Sequence, residues 1–247
     1  ARKAEVGSLM FTREYMCVPI STGTSLFNPE YLDNAKNKDL VLKPLRREGY
    51  KYFVGVDPAI STDGDYNVIT VIEMDADENK SIIYIDRAKN VQFRENIQKV
   101  KLIGQVFRPE VILFETNTFA KSFTQELRQV ADLNVHDFNT TRRKKQEIIL
   151  NLQMTLENGK INFPYGNEES RKVSSILIEE LSMFAITERG KFEGIGAHDD
   201  MVMSLALANA ATYTANDNFI LLDDLGLFDD APPSKGTPKR TAIGLNF

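Results

Sequence analysis

One cysteine, Cys17, is present among the 247 residues, so an internal disulfide is excluded. Its lone thiol fits a reducing compartment and reads as a small buried residue. No apolar run approaches the ~18 residues that a membrane-spanning helix needs, so no membrane segment is expected. A basic-then-apolar export signal is also missing. The chain opens on Ala1-Arg2-Lys3, without a methionine, as though cut from within a longer protein. With only two histidines, a histidine-rich zinc site is not expected. There is no G-x-x-x-x-G-K-[ST] loop, so the chain is not expected to hydrolyse ATP alone. Internal repeats are absent. An excess of basic charge is missing too: the net charge is −5, which argues against a strong stand-alone grip on nucleic acid. A cleft of carboxylates that works through bound cations remains open.

What is present suits an α/β domain. Hydrophobic residues make up 42% and charged residues 26%, enough apolar material for a core. The main domain is expected over 50–215. Residues 1–49 read as an irregular lead-in, wrapped on that domain or on a missing upstream one. From Asn216 a flexible tail is expected over 216–247, with five aspartates between Asp217 and Asp230, then Pro232, Pro233 and Pro238.

Within 50–215 the runs Tyr52–Asp57, Val68–Met74 and Ser81–Arg87 predict a three-strand antiparallel meander, separated by polar turns. Phe93, Ile97, Val100, Ile103 and Phe107 mark one face of a helix. Val111–Phe114 is a strand apolar on both faces, ending on Glu115. Phe119, Phe123, Leu127 and Val130 predict a second helix, and Val135–Phe138 a short strand. A third helix, capped by Thr140, runs to about Glu157 and stops at Asn158-Gly159. Ile161–Pro164 is extended, and Glu168 to Phe184 is helical. Turns containing Gly190, Gly194 and Gly196 lead to a last helix, Met201 to about Tyr213. That helix is apolar nearly all round and so belongs at the centre.

Acids stand at the ends of these elements. Asp57 closes the first core strand, Glu115 closes the buried fourth strand, and Asp199-Asp200 opens the last helix. Singly, each has a structural explanation. Asp57 before Pro58 can start a turn, Glu115 can be a solvated strand end, and Asp199 and Asp200 can serve as cap and first-turn acid. Together they point to a site, because active sites of open α/β sheets form at the carboxyl ends of parallel strands. Clustered carboxylates repel, and a divalent cation reverses that repulsion. Two such ions, roughly 3.5–4 Å apart, suit phosphodiester hydrolysis without a nucleophilic side chain. The run Arg142-Arg143-Lys144-Lys145 sits unfavourably at a helix start, so it is either a phosphate contact or a solvated face. His198 could contact phosphate or orient a carboxylate. Asp65 reads as a turn residue that could also approach the metals.

These residues resemble the tailed-phage terminase large subunits. Val54-Gly55-Val56-Asp57-Pro58-Ala59 with Gly64-Asp65-Tyr66 looks like the first nuclease motif of that family, and Phe114-Glu115-Thr116-Asn117 like the second. Ala197-His198-Asp199-Asp200-Met201-Val202-Met203-Ser204 looks like the third, the most specific of the three. Phe11-Thr12-Arg13-Glu14-Tyr15 resembles the segment that closes the family's ATPase domain, and the likeness extends over roughly residues 8 to 213. The resemblance implies a ribonuclease-H-like mixed sheet flanked by helices. It implies a largely sequence-nonspecific endonuclease that cuts concatemeric viral DNA during packaging, with two Mg2+ or Mn2+ ions as cofactors. The family's ligands fall on Asp57, Glu115 and the Asp199-Asp200 pair, with Asp200 the common ligand and Asp199 a cap or second-metal ligand. Implied partners are double-stranded DNA, the ATPase domain of the same full-length protein, the portal protein and the small terminase subunit. The implied location is the host bacterial cytoplasm, docked transiently on the procapsid. Alternatives from the residues are a junction resolvase or transposase of the same fold, or a docking module whose acids are structural. An actin-like sugar kinase is disfavoured, because no Gly-rich hairpin follows Asp57.

Overall fold

The computed structural model describes residues 25–59, 66–116, 121–130, 133–195 and 198–214. Cys17, Phe11–Tyr15, Asp65, Asn117, Phe119 and the tail lie outside these, as does the packing of the Phe93, Phe123 and Val130 side chains.

The meander appears as β2 (Lys51–Asp57), β3 (Asn67–Met74) and β4 (Lys80–Ala88), following a short β1 (Lys36–Asn37). With β5 (Val111–Glu115), β6 (Val135–Phe138) and β7 (Ile161–Pro164) they form one seven-stranded sheet in the order β1-β7-β4-β3-β2-β5-β6. Only β3 pairs antiparallel to its neighbours; the β2–β5, β5–β6, β4–β7 and β1–β7 pairs are parallel. One edge of the sheet therefore gathers the carboxyl ends of β2, β4, β5 and β6 and the start of β3.

Helices cover both faces. Along β2, Tyr52, Val54 and Val56 enter a core with Ile97, Val100, Ile103 and Phe107 of α2 (Phe93–Phe107) and Leu127 of α3 (Lys121–Val130). Phe53 enters the opposite core, with α4 (Arg142–Glu157), α5 (Glu168–Ser182) and α6 (Asp200–Thr214). This is the two-residue alternation of a strand buried on both sides. Every residue of α6 from Met201 to Thr212 is buried, as its uniform apolarity predicts. Its close seat on the sheet depends on Gly55. A Cβ there would lie 2.1 Å from the Ser204 carbonyl oxygen and 2.3 Å from the Ala208 nitrogen. The Ser204 hydroxyl lies within hydrogen-bond distance of the Gly55 carbonyl (3.0 Å) and the Thr70 hydroxyl (2.9 Å), so this buried polar side chain is satisfied.

A β-bulge interrupts β4. Val71 pairs with Tyr84 but Ile72 pairs with Ile82, leaving Ile83 as the extra residue. Alternation therefore changes phase: Ile82 and Ile85 face the α6 side, and Arg87 continues on that side to meet Glu180 of α5. Asp86 faces the other way and pairs with Lys99 of α2 at 2.7 Å.

Several boundaries differ from expectation. The 168–184 helix ends at Ser182, and Phe184 instead starts β8 (Phe184–Ile186), which pairs antiparallel with β9 (Phe192–Gly194) where only turns were read. Three-residue strands are too short for alternation to register. Thr141, not Thr140, caps α4, its side chain accepting from the Lys144 N–H. The lead-in is not wholly irregular: α1 (Pro29–Asn34) is capped by Asn28, and Leu26, Phe27 and Leu32 are buried in the α6-side core. Among the described residues no helix is long and apolar enough to cross a membrane.

Candidate active site

Strand parity and register place the first two acids. Phe53, Gly55 and Asp57 share one face of β2; Val111, Leu113 and Glu115 share the same face of β5. The last paired residues are Val56 and Phe114, so Asp57 and Glu115 stand one step further along in neighbouring parallel strands. Their carboxyl groups come within hydrogen-bonding reach of each other. Burial, then the charge of Glu115 and its hydrogen bond, push the Asp57 carboxyl well above the usual carboxylate range, with smaller contributions from Asp200 and Asp199. Two carboxylates this close cannot both ionise cheaply without a cation.

The N-terminus of α6 supplies the second pair. Asp200 accepts a hydrogen bond from the Tyr66 N–H at 3.1 Å, and His198 Nδ1 lies 3.5 Å from the same oxygen. Tyr66 and His198 meet edge to face at 5.2 Å between ring centroids. Asp199 takes an ion pair from Lys145 at 2.9 Å, with both side chains about one quarter exposed. The helix is capped across the fold by Glu180, which accepts from the Met201 N–H at 2.9 Å and is paired with Arg87 at 3.3 Å. Burial raises the Glu180 carboxyl to about 7, against the pull of those donors. Among the described residues, no three His, Cys, Asp or Glu side chains converge closely enough to hold one ion as they stand. Asp199 and Asp200 are instead engaged by Lys145, the Tyr66 amide and His198.

Basic groups reach the same edge from two directions. The bulge aims Arg87 inward, and its guanidinium lies 3.3 Å from the Tyr66 ring centroid, with the Lys89 ammonium at 4.5 Å. The other direction is α4, which begins just beyond the carboxyl end of β6 and brings the run 142–145. Those residues do not share one role. Arg142 donates to the Arg189 and Gly190 carbonyls of the β8–β9 turn at 3.2 and 2.9 Å. Lys144 lies 5.7 Å from the Phe138 ring centroid, and Arg143 is exposed.

Asp57, Glu115, Asp199, Asp200 and His198 therefore lie at one edge, together with Lys145. Glu180 and Arg87 were missed by sequence reasoning. Glu180 caps a helix twenty residues further on, a partnership only the tertiary fold creates, and Arg87 reads as a strand end unless the bulge is known.

A seven-stranded mixed sheet with one antiparallel strand, and carboxylates on two adjacent parallel strands facing a buried helix, is the ribonuclease-H-like architecture. The profile of the terminase RNaseH-like domain matches residues 54–211, and the chain belongs to that family. Among solved structures it is similar to the large terminase nuclease of thermophilic phage G20c with bound magnesium, at 22% identity and a TM-score of 0.60, covering 78% of this chain and 98% of that one. The Thermus phage P74-26 large terminase nuclease domain is similar at 20% identity and a TM-score of 0.54, over 73% of this chain and 92% of that one. The large terminase of bacteriophage HK97 matches at 11% identity and a TM-score of 0.55, over 76% of this chain but 43% of its own length. No curated protein matches the chain.

Proposed function

We propose that this domain is a divalent-cation-dependent DNA endonuclease that cuts concatemeric viral DNA during packaging, largely without regard to sequence. The observation that carries the reading is the Asp57–Glu115 pair, half-buried side by side and facing the N-terminus that bears Asp199 and Asp200. The donor set fits a hard cation: it is made of carboxylate oxygens, and Asp57 is held in a state that only protonation or a cation relieves. The G20c nuclease has been crystallised with magnesium, with cobalt and with zinc, which supports divalent ions as the cofactor class.

Asp57, Glu115 and Asp200 would hold Mg2+ or Mn2+, with Asp199 as the further ligand of a second ion. When bound, the two ions would supply a water nucleophile and charge neutralisation at the phosphate. The chain's own residues do the positioning. The Tyr66 amide fixes one oxygen of Asp200. Glu180 and the Gly55 contact fix the helix that carries it. His198 and the Arg142, Arg143, Lys144 and Lys145 run would meet the DNA backbone, as phosphate contacts set register rather than sequence. The ATPase domain of the full-length protein, the portal protein and the small terminase subunit are the proposed partners, in the host cytoplasm on the procapsid. Residues 1–49 would then be the lead-in from the ATPase domain, and 216–247 the tail.

The test is supercoiled-plasmid cleavage with EDTA, Mg2+ or Mn2+, comparing the wild type with Asp57→Asn. Metal-dependent nicking that disappears in a folded Asp57→Asn protein is expected. Full activity in that variant would sink the assignment.

A further inference from the structure

We propose that Lys145 is the resident counter-ion of Asp199, which a divalent cation must displace before Asp199 can serve as a ligand. The inference rests on the reading of the site as a metal centre. Two observations carry it. The Lys145 ammonium sits 2.9 Å from Asp199 Oδ2, both side chains being about one quarter exposed. The same ammonium also lies 5.6 Å from the Phe184 ring centroid. Lys145 can thus give up the carboxylate without losing all stabilisation.

The strength of the pair suits an exchange rather than a lock. Ion pairs between partly exposed groups shift an equilibrium by about five-fold at most. A divalent ion carries twice the charge and draws on Glu115 and Asp57 as well, so it wins the competition at ordinary concentrations. In its absence Lys145 offsets the charge of Asp199 at the edge of the sheet. The position also accounts for the basic run: cations in the first turn of α4 oppose its dipole, and Lys145 gains a carboxylate in return.

The experiment is Mn2+ binding to the full chain, by calorimetry and by electron paramagnetic resonance of the unbound ion, with folding of each variant checked by circular dichroism. Lys145→Met is expected to tighten binding of one ion about three- to five-fold. Lys145→Gln serves as a second variant that keeps the side chain polar and should do the same. Lys191→Met, which removes a charge from the nearby hairpin, should leave affinity within about two-fold. In an Asp199→Asn background, Lys145→Met should have no further effect. Unchanged or weaker binding in both Lys145 variants overturns the proposal, as does equal tightening in Lys191→Met, which would signify diffuse electrostatics. If Asp57→Asn loses Mn2+ while the Lys145 variants show no tightening, the counter-ion inference alone falls. If Asp57→Asn binds like the wild type, or the wild type binds no Mn2+, the metal-centre reading falls with it.

Discussion

Replacing Asp57 by asparagine should inactivate the protein and yet stabilise its metal-free form. The side chain is packed, half-buried, against Glu115, with Asp200 and Asp199 nearby, so its charged form is opposed from several directions. Two carboxylates about 4 Å apart at an effective dielectric near 20 repel by about 4 kcal/mol, which sets a ceiling. Partial protonation relieves some of this, leaving about 1–3 kcal/mol to be recovered at pH 8. For a chain of this size each kcal/mol moves the melting temperature by about 2–4 °C. Linkage fixes the sign with pH. A carboxyl whose folded pKa is raised makes the wild type most stable below the ordinary carboxylate range, and that stability is lost as pH rises through the folded pKa. The advantage of Asp57→Asn in EDTA should therefore be small at pH 5 and grow towards pH 8. Adding Mn2+ should raise the melting temperature of the wild type but not of the variant. The assay is thermal unfolding by circular dichroism, with both proteins melted in EDTA and in Mn2+ at each pH. A variant less stable than the wild type in EDTA at pH 8, or an advantage identical at both pH values, would refute the reasoning.

Other outcomes stem from the packing. Gly55→Val should cost roughly 3 kcal/mol or more, because backbone atoms of α6 stand where its Cβ must go, and urea titration would show a lowered midpoint. Glu180→Gln should gain stability relative to the wild type between pH 5 and pH 8, because the wild-type carboxyl, raised to about 7, must ionise across that window; melts at the two pH values check it. Arg142→Ala should release the β8–β9 turn, seen as faster amide exchange at Gly190 and Lys191, with little change in overall stability.

The chain carries much of this arrangement in readable form. The β2 and β5 runs are apolar on both faces and each ends on an acid, so their burial, their parallel pairing and the meeting of Asp57 with Glu115 follow from one topological assumption. The all-round apolarity of α6 likewise announces its central position. Features made by contact rather than pattern were not readable. No local signal marks Glu180 as the cap of α6, because its partner amide lies on another helix. Two adjacent threonines can both cap α4, and only the path of the chain leaving β6 selects Thr141. The basic run reads as one surface, whereas tertiary contacts send Arg142 to a turn, Lys144 to a ring and Lys145 to an acid.

The extra residue at Ile83 acts as a phase switch in β4. Before it, even-numbered side chains face α6; after it, odd-numbered ones do. Removing Ile83 itself would restore regular pairing and leave both faces as they are, but straightening the strand with all its residues in place would turn Asp86 inward and Arg87 outward. A site that already gathers four carboxylates would gain a fifth and lose the guanidinium that braces Glu180 and Tyr66. The turn at 75–79, only a few residues away in sequence, can change length without touching that parity. A change of turn length and a loss of the bulge thus differ in kind: one alters a loop, the other inverts the charge presented to the site.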